Sequence, residues 1–181
     1  DSNFDFYYKN TQMSSICNIK SIDVLQEPLF SSSKKIELQD TVRYPSTICP
    51  LIFKESNINE FIIANLTEQN EVNFISLGDL SRVNFNSSIK RFEIQTSYIN
   101  KLDTRLLNKD VFARMEELII TDSTIKQIEE TVFSSFRYLK FLLLYLENFS
   151  ELLRDKNSFN KWMSYLNYNR VVNDDELLVG L

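Results

Sequence analysis

Carboxylates are the first candidates for chemistry in this chain, clustered at Glu116-Glu117, Asp122, Glu129-Glu130 and Asp174-Asp175-Glu176. Two carboxyl groups facing each other across a cleft can hydrolyse a glycosidic bond, one as acid and one as nucleophile or base. Glu116 and Glu117, however, point to opposite faces if they lie on a strand. The other groups fall on separate loops, so a solvated surface accounts for them better. No Asp-x-Asp-x-Asp-Gly loop for calcium is present. The chain has no histidine, which removes Ser-His-Asp and Cys-His activation and His-ligated zinc. Two cysteines cannot supply the thiolates of an all-cysteine zinc site, and two glycines cannot build a Gly-rich phosphate loop. No enzyme, metal or cofactor is expected.

Asparagine and cysteine offer a different chemistry. Three Asn-x-Ser/Thr sequons occur, at Asn65, Asn86 and Asn148, each a candidate glycosylation site. Cys17 and Cys49 are the only cysteines. They are either a pair able to bond outside the cell or two buried thiols inside it. Together the sequons and cysteines favour a secreted or extracellular protein. The chain starts Asp1-Ser2-Asn3, which reads as a mature N-terminus after cleavage or as a boundary within a longer protein. No apolar run reaches the ~18 residues of a membrane span. A net charge of −5 and a pI near 4.9 argue against a nucleic-acid surface, which needs a basic stripe.

The elements that must position these residues are set by an internal repeat. Its pattern has apolar residues at positions one, four, six, eleven and fourteen, and a polar residue at nine. One copy is Ile89, Phe92, Ile94, Ser97, Ile99, Leu102, and the next is Met115, Leu118, Ile120, Ser123, Ile125, Ile128. Others are Ile48, Leu51, Phe53, Ser56, Ile58, Phe61 and Leu139, Leu142, Leu144, Glu147, Phe149, Leu152. Val72, Ile75 and Leu77 begin a degraded copy. About five units over 48–155 are therefore expected, with an N-terminal segment over 1–47 and a C-terminal one over 156–181.

This pattern resembles the leucine-rich repeat, and with the sequons it is similar to invertebrate extracellular members such as Toll-type ectodomains and secreted immune proteins. The resemblance implies an α/β leucine-rich-repeat solenoid with a parallel β-sheet on its concave face and helices or irregular turns behind. The polar ninth position of the family is Asn, which ladders to neighbouring backbones. Here it is Ser56, Ser97, Ser123 and Glu147, which predicts a less regular coil. The resemblance also implies a Cys17–Cys49 bond tying an N-terminal cap to the first unit.

Both ends of such a stack expose apolar edges that need covering. Residues 17–25 and 34–40 alternate as strands do, which predicts an N-terminal β-hairpin cap. Phe159, Trp162, Met163 and Leu166 fall at helical spacing, which predicts a C-terminal helical cap. Asn173-Asp174-Asp175-Glu176 resembles a capping box opening a second helix before Leu177 and Leu178.

Alternate strand residues face outward. The expected central row is Ile52, Ser76, Glu93, Ile119 and Leu143, flanked by Pro50, Phe74, Arg91, Glu117, Phe141 and by Lys54, Gly78, Gln95, Thr121, Tyr145. Phe141, Leu143, Tyr145 and Leu146 are expected to be exposed beside Ile119, as a protein-binding patch or a self-association surface. Arg91 and Glu93 are its expected polar partners. The function this implies is secreted protein binding, in innate immune recognition or cell-surface interaction. The alternatives are a structural repeat segment of a larger receptor or scaffold, and a cytosolic substrate adaptor.

Overall fold

The structure, a computed structural model, describes residues 35–39, 46–48, 50–53, 56–69, 71–74, 87–154, 156–166, 169–172 and 176–180. It is a mixed α/β arrangement with few helices. Ten strands form in chain order: β1 (Lys35–Gln39), β2 (Ser46–Ile48), β3 (Glu60–Ala64), β4 (Val72–Phe74), β5 (Arg91–Gln95), β6 (Tyr98–Ile99), β7 (Glu117–Ile125), β8 (Phe141–Leu146), β9 (Asn169–Val172) and β10 (Glu176–Gly180). A 3-10 turn spans Pro50–Phe53, and two short helices, α1 (Phe149–Arg154) and α2 (Lys156–Met163), follow β8.

The main sheet is curled, with β1, β3, β5, β7 and β8 side by side and all parallel. Lys35, Glu60, Arg91, Glu117 and Phe141 share one register row, so the strands recur every 25, 31, 26 and 24 residues. Parallel neighbours need a crossover between them, and each intervening segment supplies one. Two of these segments hold β2 and β4, which pair with each other in a separate two-stranded parallel sheet. β6 pairs β7 beyond the end of β5.

Several expectations are corrected by this register. The first unit's sheet strand is Glu60–Ala64, ten residues after the expected one, while Pro50 and Ile52 lie in the 3-10 turn. The repeat template overlaps itself. Its last two apolar slots, filled by Ile58 and Phe61, have the same three-residue separation as its first two, so a copy fits ten residues early. Proline also has no N–H to give a sheet ladder. Phe74, expected on the open face, belongs to β4 and is buried. Lys54, Ser76 and Gly78 lie outside the described residues.

Both ends also differ. Residues 35–39 run parallel to β3 as a further strand of the sheet, where an antiparallel cap arm was expected; 17–25 lie outside the described residues. At the other end Glu176–Gly180 is a strand, not a helix. It pairs antiparallel with β8 and with β9, and the β-branched Val171, Val172 and Val179 suit that geometry.

One face of the sheet packs into a single core. Phe61, Ile63, Phe92, Ile94, Leu118, Ile120, Leu142 and Leu144 point into it, against Leu107, Val111, Phe112, Val132, Phe133 and Phe136 from the crossovers. Aromatic rings run through the core from unit to unit. Phe61 and Phe92 stack at 5.5 Å, and Phe92 and Phe112 at 4.5 Å. Phe53 and Phe74 meet Phe61 edge-on at 5.4 and 6.1 Å. The crossover after Leu102 is turned without a regular helix. Asp103 Oδ1 accepts the N–H groups of Arg105 and Leu106, and Asn108 Oδ1 those of Asp110 and Val111. These are Asx turns, the local bonds that Asp and Asn favour over helix interiors.

Candidate protein-binding face

The open face of the sheet is shaped by how each unit bends out of its strand. Asn65, Thr96 and Asp122 stand at the same place in three successive units, directly after the five paired residues. They have positive φ of 60°, 46° and 49°. Glycine is the usual residue there, and a chain with two glycines meets the requirement with Asn and Asp, which tolerate it, and once with Thr. A β-branched residue in this region is strained by about 1–3 kcal/mol. Thr96 is exposed, so Thr96→Asn should raise stability by about 1 kcal/mol, read as a higher melting temperature. An unchanged or lower value would show that Thr96 is not strained.

Just past each bend lies the ninth-position residue. Ser97 Oγ accepts the Leu66 N–H at 3.1 Å and donates to the Gln95 carbonyl at 2.6 Å. Ser123 Oγ accepts the Ser97 N–H at 3.0 Å and donates to the Thr121 carbonyl at 2.7 Å. Both serines are buried, so two shorter side chains form a ladder between units. Ser56 does not join it, and donates instead to its own Phe53 carbonyl at 2.9 Å. Ser123→Ala leaves the buried Ser97 N–H without its acceptor, at a cost of about 1–3 kcal/mol. Urea denaturation should show a lower midpoint with an unchanged slope.

The last unit departs from the pattern. The pairing of β7 with β8 slips between Ile120 and Ser123, so β8 has one residue fewer there and Ser123 stands opposite Leu146. Alternation along β8 itself runs unbroken to its end, so Leu146 turns into the core with Leu142 and Leu144 and is buried, where exposure was expected. Glu147, expected on the serine ladder, accepts from the Thr124 hydroxyl at 3.1 Å. Asn148 takes the backbone-binding part: its Oδ1 accepts the Ile125 N–H at 3.1 Å and its Nδ2 donates to the Ile125 carbonyl at 2.8 Å. Of the other sequon asparagines, Asn65 is exposed and Asn86 lies outside the described residues, as do Cys17 and Cys49.

Polar groups occupy the middle of the open face. Arg91 on β5 donates from Nε and Nη2 to Glu93 Oε2, at 3.3 and 2.9 Å, and from Nη1 to Glu117 Oε2 on β7 at 3.1 Å. Gln95 Nε2 donates to the other oxygen of Glu93. Glu93 is buried in this cluster, and a buried carboxylate requires such partners. The hydrogen bond to Glu93, with the charges of Glu93 and Glu117, raises the Arg91 pKa further.

Beside this cluster, Glu116 sits between Lys140 at 2.6 Å and Lys90 at 3.0 Å. Their hydrogen bonds hold its carboxyl below the usual carboxylate range. Glu116 and Glu117 thus bind different cations on neighbouring units. Behind them, the Asn59, Lys90 and Glu116 carbonyls each accept two consecutive N–H groups from the next unit.

The apolar end is less open than the sequence implied. Ile119 is 7% exposed and counts with the buried residues, because neighbouring strands in register flank it with Glu93 and Leu143. Phe141 and Leu143 are half-buried, and Tyr145 is 46% exposed. β10 lies along the outer edge of β8, with Gly180, Leu178 and Glu176 opposite Phe141, Leu143 and Tyr145. The C-terminal strands therefore extend the sheet past the apolar end. Sequence reasoning missed this extension, and also two further exposed tyrosines, Tyr138 and Tyr165; single exposed side chains leave no periodic signal. Among the described residues no helix is long and apolar enough to cross a membrane. Comparison with protein-family models, curated proteins and solved structures finds no match in any of the three.

Proposed function

We propose that the chain is a secreted leucine-rich-repeat solenoid that binds another protein, or a second copy of itself, through the open face of its sheet. The observation that carries this reading is the row structure of that face. Five parallel strands in one register set a bonded Arg91–Glu93–Glu117 cluster beside Phe141, Leu143 and Tyr145. Partly exposed aromatic residues next to fixed charges combine an anchor with directional polar contacts, the composition that dominates binding energy at protein interfaces. The regular strand spacing and the serine ladder support the repeat reading. Burial of Trp162 and Met163 supports α2 as the closure of its C-terminal end. No enzymatic role is proposed, since Glu93 and Glu117 on the face are both held by Arg91.

A photo-crosslinking residue at position 145 should trap the partner, whereas one at the exposed Ser134 should not. Phe141→Glu with Tyr145→Ala should weaken the trapped complex at least tenfold, about 1.4 kcal/mol or more. Equal trapping from both positions, or unchanged affinity and oligomeric state in the double variant, would overturn the proposal. Secretion is checked separately by alkylating the denatured protein without reductant, so that buried thiols are also reached. Protection of Cys17 and Cys49 is expected, and two alkylated thiols would place the chain in a reducing compartment.

A further inference from the structure

Two sequons within the described residues hold their asparagines in opposite chemical situations. Asn65 stands on the bend after β3 with φ of 60°, and both Asn65 and Thr67 are exposed while Leu66 between them is buried. The Asn65 backbone N–H is bonded to the Gln95 carbonyl at 3.1 Å, which fixes the bend and aims the residue outward. Asn148 is half-buried, and both ends of its amide are engaged by Ile125 of the preceding unit. Its own carbonyl meanwhile accepts the Glu151 N–H at 3.0 Å in the first turn of α1.

We infer that Asn65 is an N-linked oligosaccharide acceptor and that Asn148, despite its sequon, stays unmodified in the folded protein because its side-chain amide is committed to Ile125. The inference rests on the reading of the chain as secreted.

The exclusion follows from amide geometry. Asn148 binds the N–H and C=O of one residue through a single edge, so the hydrogen it donates is the one on the same side as its own Oδ1. N-glycosylation joins Nδ2 to the anomeric carbon of an oligosaccharyl diphosphate donor. The Nδ2–C1 bond forms, the C1–O bond to the diphosphate breaks and takes its electron pair with the leaving group, and Nδ2 loses one proton to a base. The product is a secondary amide, and its trans preference puts the sugar on the oxygen side. The sugar thus replaces the hydrogen that Ile125 requires. At Asn148 the clamp and the glycan are mutually exclusive. At Asn65 no described bond is displaced.

The test directs the full chain into the secretory pathway of a eukaryotic host with a cleavable leader. The folded fraction is then deglycosylated in heavy-oxygen water, which marks each formerly occupied asparagine. The expected map has a marked Asn65 peptide and an unmarked Asn148 peptide. Asn65→Gln should remove that glycan mass, while Asn148→Gln should leave Asn65 occupancy unchanged. A marked Asn148 peptide in the folded fraction, or an unmarked Asn65 peptide, would overturn the inference. The leader supplies passage through the glycosylating compartment whatever the native location. Failure of this map is therefore separate from failure of the binding proposal, which the crosslinking at position 145 decides.

Discussion

Replacing Phe112 with alanine should destabilise the protein by about 3–5 kcal/mol, a large share of the ~5–15 kcal/mol that holds a domain folded. Phe112 is fully buried and lies in the crossover between β6 and β7. It stacks on Phe92 at 4.5 Å and meets Phe74 edge-on at 5.5 Å. Its ring therefore joins a strand of the main sheet to one of the small β2–β4 sheet, a junction that Phe61 on β3 also makes through Phe74. Truncation removes the transfer energy of the ring and leaves a cavity whose walls are held by hydrogen-bonded strands, so collapse is limited. Phe112→Leu refills part of the volume and should cost less than half as much. Thermal and urea unfolding of the two variants check the prediction. Equal losses would mean that ring stacking matters more than volume, and a loss below about 1 kcal/mol for alanine would mean that the aromatic column does not join the layers.

The middle of the sheet was legible because its units obey the period without interruption. The copies starting at Ile89 and Met115 align in the structure as they do in sequence, and Ser97 and Ser123 fall on the ladder positions the pattern assigned. The first unit was misplaced because the template matches itself ten residues apart, and its apolar density hid which copy carried the sheet strand. Val72 began a false unit for a related reason: β4 is also apolar and alternating, but it pairs with β2 in the second sheet.

Phe112 was not singled out at all. It sits between the template's slots, where crossover length varies and periodicity carries no information. Leu146 lies on the core side because β8 alternates without interruption, with Leu142, Leu144 and Leu146 buried and Tyr145 exposed between the last two. The β9–β10 pair was hidden by Asn173-Asp174-Asp175-Glu176, since the same residue types open helices and connect strands. For the candidate site, Arg91, Glu93 and Tyr145 were legible as open-face residues from strand alternation. The burial of Ile119 was not, because it depends on both neighbouring strands at once.

Trp162→Ala should cost as much as Phe112→Ala, about 3–5 kcal/mol by ring loss alone, yet its effect should be distributed differently. Trp162 on α2 is buried against Phe133 at 5.7 Å and receives Phe159 edge-on at 5.0 Å. These contacts lie at the C-terminal end of the sheet order, where β8 has already exchanged parallel neighbours for the antiparallel pair β10 and β9. In a sheet whose successive parallel strands are also spatial neighbours, each unit is supported chiefly by the units beside it. Loss at the end should therefore loosen α1, α2 and the crossover holding Phe133 before it reaches β3 and β5. Native-state hydrogen exchange can separate this from global unfolding. The expected result is lost protection at Ser164 and Leu166, whose N–H groups bond to Asn160 and Met163 carbonyls, with protection retained at Arg91 and Glu117. Phe112→Ala should instead lower protection at all four. If Trp162→Ala exposed Arg91 and Glu117 as readily as Ser164, the molecule would be one cooperative unit, and the strands carrying the candidate binding face would depend on a helix at its far end.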